Sequence, residues 1–446
     1  MLDLVVRNGT LVTSAAETAA DIGIQGEHLA AIAAPGALSG AEVLDATGRF
    51  VLPGVIDGHV HFREPGLEAK EDFASGSRSA VMGGVTTVLD MPNTVPPTST
   101  ALEVERKRAL IGAKAYCDVG VFGLLGQDNL EHLHPMAEGG VIGFKCFLGQ
   151  SVGNIPPPSD GVLLAALGEV AALSMRVGFH AEDDAILRER ARELQAAGRT
   201  DPLAHLEARP VAAEVAAIQR AGQAAAATGA KMHILHLSSR DGLGAIEHWR
   251  KLGVDITCEV TPHHSFLTSE DMARLGSIAR INPPMREPGH GAALLDALIR
   301  GTVNAIATDH APHLASEKLR DDIWQAASGF AGVETSLRLF LTYAVHPGRM
   351  TLPQLVRATS EQPARIWGLY PRKGVVQVGS DADLTIVDLD LEDTIEAGRL
   401  HGKANLSPWD GVRTRGLAVA TILRGRVVMR DGELCGAPIG RMVRPA

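Results

Sequence analysis

Histidine, lysine and aspartate side chains occur at the ends of apolar runs that lie far apart in the sequence. The first of these runs, VIDGHVHF, carries His59 and His61. Side chains alternate along a β-strand, so the two imidazoles would face the same way, about 6–7 Å apart. Imidazole nitrogen is a common ligand of zinc and of other divalent metals. We therefore predict that this pair binds a cation.

A lysine stands inside another apolar run, VIGFKCFL, where a charged side chain is unexpected. Lysine is almost never buried without a partner, and burial lowers its pKa so that a neutral amine becomes accessible. A neutral amine can add CO₂ to form a carbamate, which can bridge two cations as a carboxylate does. Lys145 is thus a candidate bridging ligand, although a lysine at a strand end can also extend its ammonium group to solvent.

Three further runs end in a residue of a metal-ligating type. His180 ends RVGFH, His236 follows MHIL, and Asp309 follows VNAIAT. Imidazole and carboxylate donors together suit zinc, manganese, iron or cobalt. Packing alone does not explain five runs that each deliver such a residue, so we expect them to meet in one site.

The elements that must position these residues alternate between strand-like and helix-like segments over residues 52–365. Two helix predictions are residues 158–175, with Ser159 or Asp160 as the N-cap, and residues 211–228, ending before Gly229. Eight alternations predict an α/β fold, a parallel (β/α)8 TIM-like barrel with its active site at the C-terminal ends of the strands. The strand candidates are VIDGHVHF, GVTTVLDM, CDVGVFGLL, VIGFKCFL, RVGFHAED, KMHILHLSS, DITCEVTPHH and NAIATDHAPH.

Both chain ends contain short strand-like segments instead. Asn8-Gly9, near the start, predicts a hairpin turn. We predict a small β-sandwich domain composed of residues 1–52 and 370–446, beside a catalytic barrel domain of residues 53–369. The Gly/Pro-rich loop GQSVGNIPPPS, which follows Leu148, is a candidate lid.

Composition excludes several classes of function. The net charge is −10 at pH 7 and no Lys/Arg-rich run of five or more residues occurs, which argues against nucleic-acid and anionic-membrane partners. The four cysteines are far apart without a C-x-x-C pair, which favours a reducing, cytoplasmic location. The N-terminal residues do not resemble a secretory signal, and no apolar stretch is long enough to span a membrane.

Seven motifs together resemble those of dihydroorotases in the amidohydrolase superfamily, to which allantoinases and hydantoinases are closely related. The resemblance covers nearly the whole chain and implies a hydrolase of cyclic amides. The motifs are DGHVHFREPG (57–66), MPNT (91–94), GFK (143–145), HAED (180–183), EVTPHH (259–264), NPPMR (282–286) and ATDHAPHLASEK (307–318).

The resemblance implies a centre of two divalent metal ions, with zinc as the expected metal. Asp309 would accept a proton from the hydroxide that attacks the amide and return it to the departing nitrogen. The implied ligands are His59, His61 and Asp309 for one ion, His180 and His236 for the other, and carboxylated Lys145 with a hydroxide between them.

The resemblance also implies the substrate, dihydroorotate, and its reversible hydrolysis to N-carbamoyl-aspartate in pyrimidine biosynthesis. The planar guanidinium of Arg63 suits the carboxylate that this ring carries. The implied substrate-binding residues are Arg63, Asn93, Asn282 and His313.

Two alternatives remain open. Residues 180–220, with TDPLAHLEARPVAAEVAAIQRA, look more like the corresponding stretch of allantoinases. Lys145 also stands where many bacterial dihydroorotases of this branch have aspartate. Allantoinase, or another cyclic ureide hydrolase of the hydantoinase type, is therefore the first alternative. The second is a non-catalytic scaffold partner of aspartate transcarbamoylase. The resemblance further implies homo-oligomerisation. It also makes aspartate transcarbamoylase a candidate partner.

Overall fold

The computed structural model describes residues 1–150 and 155–445, and its strands form two sheets of nine strands each. One sheet comes from the two chain ends, and the other forms a barrel from eight strands of the middle and one short strand near the C-terminus. The strands are β1 (Leu2–Val12), β2 (Glu17–Gln25), β3 (His28–Ala33), β4 (Gly40–Asp45), β5 (Phe50–Pro53), β6 (Val55–Val60), β7 (Val85–Asp90), β8 (Asp118–Leu124), β9 (Gly143–Phe147), β10 (Arg176–His180), β11 (Lys231–Ile234), β12 (Ile256–Val260), β13 (Ala305–Ile306), β14 (Leu384–Thr394), β15 (Arg413–Leu423), β16 (Arg426–Arg430), β17 (Glu433–Leu434) and β18 (Met442–Val443).

Helices connect most of the barrel strands and continue after the last of them. Two of the later helices continue as short π-helices, at Leu341–Val345 and Arg357–Glu361. The α-helices are α1 (Phe73–Met82), α2 (Ala101–Lys114), α3 (Leu133–Glu138), α4 (Asp160–Ala172), α5 (Asp184–Ala196), α6 (Pro202–Ala208), α7 (Val211–Thr228), α8 (Arg240–Lys251), α9 (Pro262–Phe266), α10 (Ser269–Leu275), α11 (His290–Arg300), α12 (Ala315–Lys318), α13 (Ser336–Phe340), α14 (Leu352–Val356) and α15 (Gln362–Ile366).

Strands β6 to β13 pair in sequence order, all parallel, and each of the eight predicted strands contains one of them. The barrel closes where the His61 amide donates to the His310 carbonyl at 2.7 Å. Parallel strands in a closed barrel are covered on both sides, which explains their nearly continuous apolar runs. The predicted fold class, a (β/α)8 barrel with a separate β-sheet domain from both termini, is confirmed.

The two predicted helices form as their sequences indicate. Helix α4 begins after Ser159, whose side chain accepts a hydrogen bond from the Val162 amide, and its buried face includes Leu163 and Leu167. Helix α7 ends at Gly229, which adopts φ +75°. A left-handed residue after a helix is inexpensive only for glycine, so this residue determines where α7 ends.

The hairpin turn predicted at Asn8-Gly9 is wrong. Both residues lie inside β1, where the pairing with β2 shifts between Val6 and Gly9 and then continues to Val12. Asn8 adopts φ +62°, a conformation that asparagine tolerates and that a β-bulge needs as much as a tight turn does. The Asn-Gly pair therefore indicated a residue with left-handed backbone conformation and not a chain reversal. The flanking apolar residues kept the strand continuous.

The two chain ends meet in a single sheet, in which β14 pairs antiparallel with β5. The end of the chain then leaves this sheet, because β18 pairs with β8 of the barrel. The boundaries at residues 52 and 370 stay a prediction. The candidate lid after Leu148 falls partly on residues 151–154, which lie outside the described residues.

Candidate metal centre and its pocket

Three of the predicted ligands converge at the C-terminal end of β6 and just beyond β13. The Nε2 atoms of His59 and His61 lie 3.2 and 3.1 Å from Oδ1 of Asp309. One potential ligand atom from each residue lies within 4.8 Å of the others, which is close enough for all three to bind one ion. His59 and His61 are buried, and Asp309 is partly buried.

The second predicted pair lies beside the first. His180 ends β10 and His236 follows β11 by two residues, and their Nδ1 and Nε2 atoms are 3.0 Å apart. The ring of His236 is 5.2 Å from that of His59, centre to centre. The two pairs therefore line one continuous cluster.

Lys145 lies on β9, next to β10, and is 1% exposed. Its Nζ atom is 4.7 Å from the centre of the Phe147 ring. Burial lowers the pKa of Lys145 to about 8, although the carboxylates of Asp309 and Glu259 oppose this shift. A lysine of this kind has a substantial neutral fraction near pH 8, which is the form that can add CO₂.

The histidines are neutral, as metal ligands must be. Burial lowers the pKa of His61 to about 4 and lowers the pKa values of His59, His180 and His236 as well. Within the described part of the chain, His59 Nε2 and His236 Nδ1 have no hydrogen-bond partner although both are buried. Buried polar atoms are usually satisfied, so these residues fit a group that accepts lone pairs, such as a divalent cation.

Glu259, which the sequence analysis quoted in a motif without assigning it a role, orients the first histidine. Its two carboxylate oxygens lie 2.8 Å from His59 Nδ1 and 3.1 Å from His233 Nε2. Nδ1–H of His59 thus donates to Glu259, and the Nε2 lone pair is left facing Asp309. His61 is held in the same tautomer by Asn93, whose Oδ1 is 2.7 Å from Nδ1. Fixing the outer nitrogen in this way is how proteins orient metal-binding histidines.

Glu182 is a second residue that the sequence reasoning missed, although it stands in the quoted motif HAED. It lies 3.0 Å from His180 Nε2 and forms a buried ion pair with Arg209. Burial raises the pKa of Glu182, but Arg209 and His180 outweigh this effect and lower the pKa far below its usual value. A permanently ionised carboxylate is thus fixed against His180.

A small pocket with about 290 Å³ of empty space opens beside the cluster. Arg63, which is 1% exposed, forms part of its wall, and Arg63 Nη2 is 3.2 Å from His313 Nε2. The structure thus brings all four predicted substrate-binding residues to this pocket or directly behind it. The lining residues are His61, Arg63, Asn93, Asn282, Asp309, Ala311, Ser328 and Gly329.

Two polar atoms of the pocket residues lack a partner among the described residues: Nη1 of Arg63 and Oδ1 of Asn282. The loop that carries Asn282 is held by His264, which donates to the Pro283 carbonyl at 3.1 Å. A buried donor and a buried acceptor without partners cost free energy unless a ligand completes them.

The Amidohydrolase family profile matches residues 50–428 of this sequence. The chain belongs to the amidohydrolase family. The L-hydantoinase of Paenarthrobacter aurescens is 36% identical over 97% of this chain and 96% of its own length. The allantoinase of Solibacter usitatus is 37% identical over 100% and 97%, and the dihydroorotase of Methanothermobacter thermautotrophicus is 40% identical over 90% and 88%.

A solved structure of L-hydantoinase from Arthrobacter aurescens superimposes with a TM-score of 0.97, at 35% identity and over all of both chains. The predicted enzyme class, a metal-dependent hydrolase of cyclic amides, is confirmed by this membership. The comparisons do not confirm the narrower prediction of dihydroorotase, because this amidohydrolase is similar to proteins of three different names. Each helix in the described part of the chain is too short or too polar to span a bilayer.

Proposed function

We propose that this amidohydrolase is a dihydroorotase, which interconverts dihydroorotate and N-carbamoyl-aspartate. The observation that carries the proposal is the buried guanidinium of Arg63. It forms no ion pair with a carboxylate in residues 1–150 and 155–445, and its Nη1 has no partner there. A buried cation is stable when an anion accompanies it. The carboxylate on the dihydroorotate ring supplies that anion.

The ligand roles implied by the motifs agree with the geometry and are part of this proposal. Two divalent ions, with zinc expected, would lower the pKa of a water molecule and polarise the ring carbonyl. The proposed ligands are His59, His61 and Asp309 for one ion, His180 and His236 for the other, and carboxylated Lys145 shared between them.

Asp309 moves the proton in this proposal. Burial raises its pKa, but His59, His61 and His236 outweigh this effect and hold the pKa of Asp309 well below its usual value. Asp309 is therefore ionised and can accept a proton from the attacking water. Since it also lines the pocket, it can pass that proton to the ring nitrogen that leaves. Asn282 Oδ1, an unpartnered acceptor, suits a ring N–H.

Hydrolysis of an uncharged cyclic ureide is the second candidate. The relatives named L-hydantoinase and allantoinase match more of the chain than the dihydroorotases do. Hydantoin and allantoin carry no carboxylate, however, so they would leave the guanidinium of Arg63 without a direct ion pair. The second alternative from the sequence, a non-catalytic scaffold, predicts a folded protein that binds no metal.

Turnover of dihydroorotate, allantoin, hydantoin and dihydrouracil, measured side by side, tests the proposal. We expect dihydroorotate to be the best substrate. Arg63→Met should reduce kcat/KM for dihydroorotate by roughly 100-fold, since a charge-assisted bidentate contact is lost. Arg426→Met, at an exposed position, is the matched control and should behave as wild type.

Activity on allantoin without activity on dihydroorotate would overturn the dihydroorotase proposal. Full dihydroorotate turnover by Arg63→Met would do the same. Metal analysis of protein purified without chelator separates both enzymes from a scaffold. Homo-oligomerisation and binding of aspartate transcarbamoylase stay predictions, which light scattering of the protein alone and with that partner can test.

A further inference from the structure

Lys70 is a nearly buried cation behind the pocket wall that neither the ligand set nor the substrate contacts use. Its Nζ lies 2.8 Å from Oε1 of Glu317 and 3.4 Å from Nδ1 of His313. Only 16% of its side chain is exposed. The other ring nitrogen of His313, Nε2, faces Arg63 Nη2 at 3.2 Å and the Ser328 carbonyl at 3.1 Å. Lys70 and Arg63 thus contact opposite nitrogens of one imidazole.

These contacts distinguish between the two neutral tautomers of His313. In the first, Nε2–H donates to the Ser328 carbonyl and Nδ1 accepts a hydrogen bond from Lys70. In the second, Nδ1 carries the hydrogen and Nε2 accepts from Arg63. The second tautomer directs an N–H at an ammonium group that can only donate, and the nearest carboxylate oxygen, Glu317 Oε2, lies 3.7 Å from Nδ1, beyond hydrogen-bond distance. It also leaves the Ser328 carbonyl without a donor from the ring. Lys70 therefore favours the first tautomer.

The doubly protonated ring is also disfavoured. Burial, together with the charges of Arg63 and Lys70, holds the pKa of His313 far below its usual value. His313 is neutral, and the choice of tautomer decides what Arg63 can bind. In the first tautomer the ring cannot accept from Arg63, so both terminal nitrogens of the guanidinium remain free to donate to a ligand.

We propose that Lys70 is a positioning residue that fixes His313 in its Nε2–H tautomer and so keeps both terminal nitrogens of Arg63 available for the substrate carboxylate. This inference rests on the proposed function, because it assumes a carboxylated ring in the pocket. It makes Lys70 a determinant of specificity for carboxylated over uncharged rings, without contact between Lys70 and the substrate.

Nitrogen-15 NMR of the metal-loaded protein with labelled histidine tests the tautomer directly. The His313 signals are identified by their loss in His313→Gln. We expect wild type to show one protonated-type shift, at Nε2, and one unprotonated-type shift, at Nδ1. In Lys70→Met both shifts should move toward the average of the two tautomers. Lys231→Met, which removes an exposed lysine at the opposite end of the barrel, should leave them in place.

Kinetics with charged and uncharged rings test the consequence. Lys70→Met should raise KM for dihydroorotate about tenfold, the effect of one weakened charge-assisted hydrogen bond, with kcat nearly unchanged. Lys70→Arg, which still donates, should recover most of the loss. Turnover of dihydrouracil, measured with the same variants, should stay within about twofold of wild type.

Unchanged His313 shifts in Lys70→Met would overturn the inference whatever the substrate is. Equal losses on charged and uncharged rings would also overturn it, since they indicate a structural role. Absence of dihydroorotate turnover in wild type would instead refute the proposed function, while the NMR result would still stand. If circular dichroism shows that Lys70→Met is unfolded, Glu317→Gln, which releases Lys70 from its anchor, should move the shifts in the same direction.

Discussion

Three residues of the candidate site have backbone conformations that their side chains normally avoid. Arg63, His236 and Asp309 adopt φ values of +63°, +38° and +49°. Each such residue costs of order 1–3 kcal/mol and persists only where the surrounding structure enforces it. All three lie at or just after the C-terminal ends of barrel strands, so the distortion turns each side chain toward the shared cluster.

Glu259 should control the affinity of the metal centre. Glu259→Gln keeps an oxygen near His59 Nδ1 but removes the negative charge that strengthens the imidazole as a ligand. We expect the metal dissociation constant to rise by about 10–100-fold. Chelator competition measures it, and Glu287→Gln, at an exposed position, is the control. Equal affinity in both variants would contradict this role of Glu259.

Lys145 should carry a carbamate in the metal-loaded protein. Growth or reconstitution with ¹³C-bicarbonate should give one carbamate resonance that is absent from Lys145→Arg, because an arginine side chain remains protonated and cannot add CO₂. We also expect the variant to lose most of its bound metal, as measured by elemental analysis. A wild-type spectrum without that resonance, at full metal content, would count against the bridge.

At the scale of residues, the sequence revealed the groups that are chemically unusual and missed those that support them. His59, His61 and Lys145 are out of place in apolar strands, and this alone indicated a site. Glu259 and Glu182 are ordinary glutamates by composition, and only the fold brings them against the histidines. The absence of an ion-pair partner for Arg63 likewise depends on the tertiary structure, and the spacing of residues in the sequence does not predict it.

At the scale of elements, strands and helices were predictable because their signals are local and repeated. All eight barrel strands are apolar runs, and α4 and α7 have clear caps. The Asn8-Gly9 prediction failed because a β-bulge and a hairpin turn both need a residue with positive φ. The choice between them depends on pairing with β2, which is not encoded in the dipeptide.

The N-terminus of α1 offers a test of one such cap by pH. Asp72 accepts from the Ser75 amide at 2.8 Å and contacts Lys403 Nζ at 2.7 Å. Burial raises its pKa, but these partners outweigh burial and lower the pKa of Asp72 to about 2. The ionised form is therefore the stabilising one. Its contribution is complete above about pH 4 and is lost as the pH falls toward about 2.

Asp72→Asn should accordingly lower Tm at pH 6, and Asp72→Ala should cost about 1 kcal/mol of stability there. The difference between wild type and Asp72→Asn should shrink at pH 3, because the unfolded wild-type chain, in which Asp72 has its ordinary pKa, then takes up a proton that the folded protein does not. Thermal unfolding at both pH values measures this. Asp128→Asn, at an exposed position, should show no difference at either pH. A constant difference for Asp72→Asn would contradict the assignment.

At the scale of the whole molecule, a buried ionic cluster joins the barrel to the terminal sheet. Lys373 Nζ lies 2.8, 3.0 and 2.6 Å from the carboxylates of Asp118, Asp381 and Asp383. Although burial lowers it, these three charges raise the pKa of Lys373 above its usual value. Asp118 begins β8, so the cluster lies at the end of the barrel opposite the candidate site.

Lys373→Met should destabilise the protein by about 3–5 kcal/mol, because it removes the cation from the buried carboxylate of Asp383 and leaves Asp118 with Arg424 alone. The midpoint of urea unfolding measures the loss. Lys251→Met, at an exposed position on α8, should change stability by less than about 0.5 kcal/mol. KM of the folded variant should equal that of wild type, and a changed KM would show that the cluster is coupled to the pocket.

The short strand β18 has a practical consequence for anyone handling this protein. It pairs with β8 at Val119 and Gly120, below the level at which β9 begins to pair with β8 at Phe122. Residues 442–443 thus pair with the part of β8 that β9 leaves unpaired. A protease or a deletion that removes them would expose the backbone of β8 there to water. Met1, by contrast, is 98% exposed, so purification handles and fluorophores belong at the front of the chain.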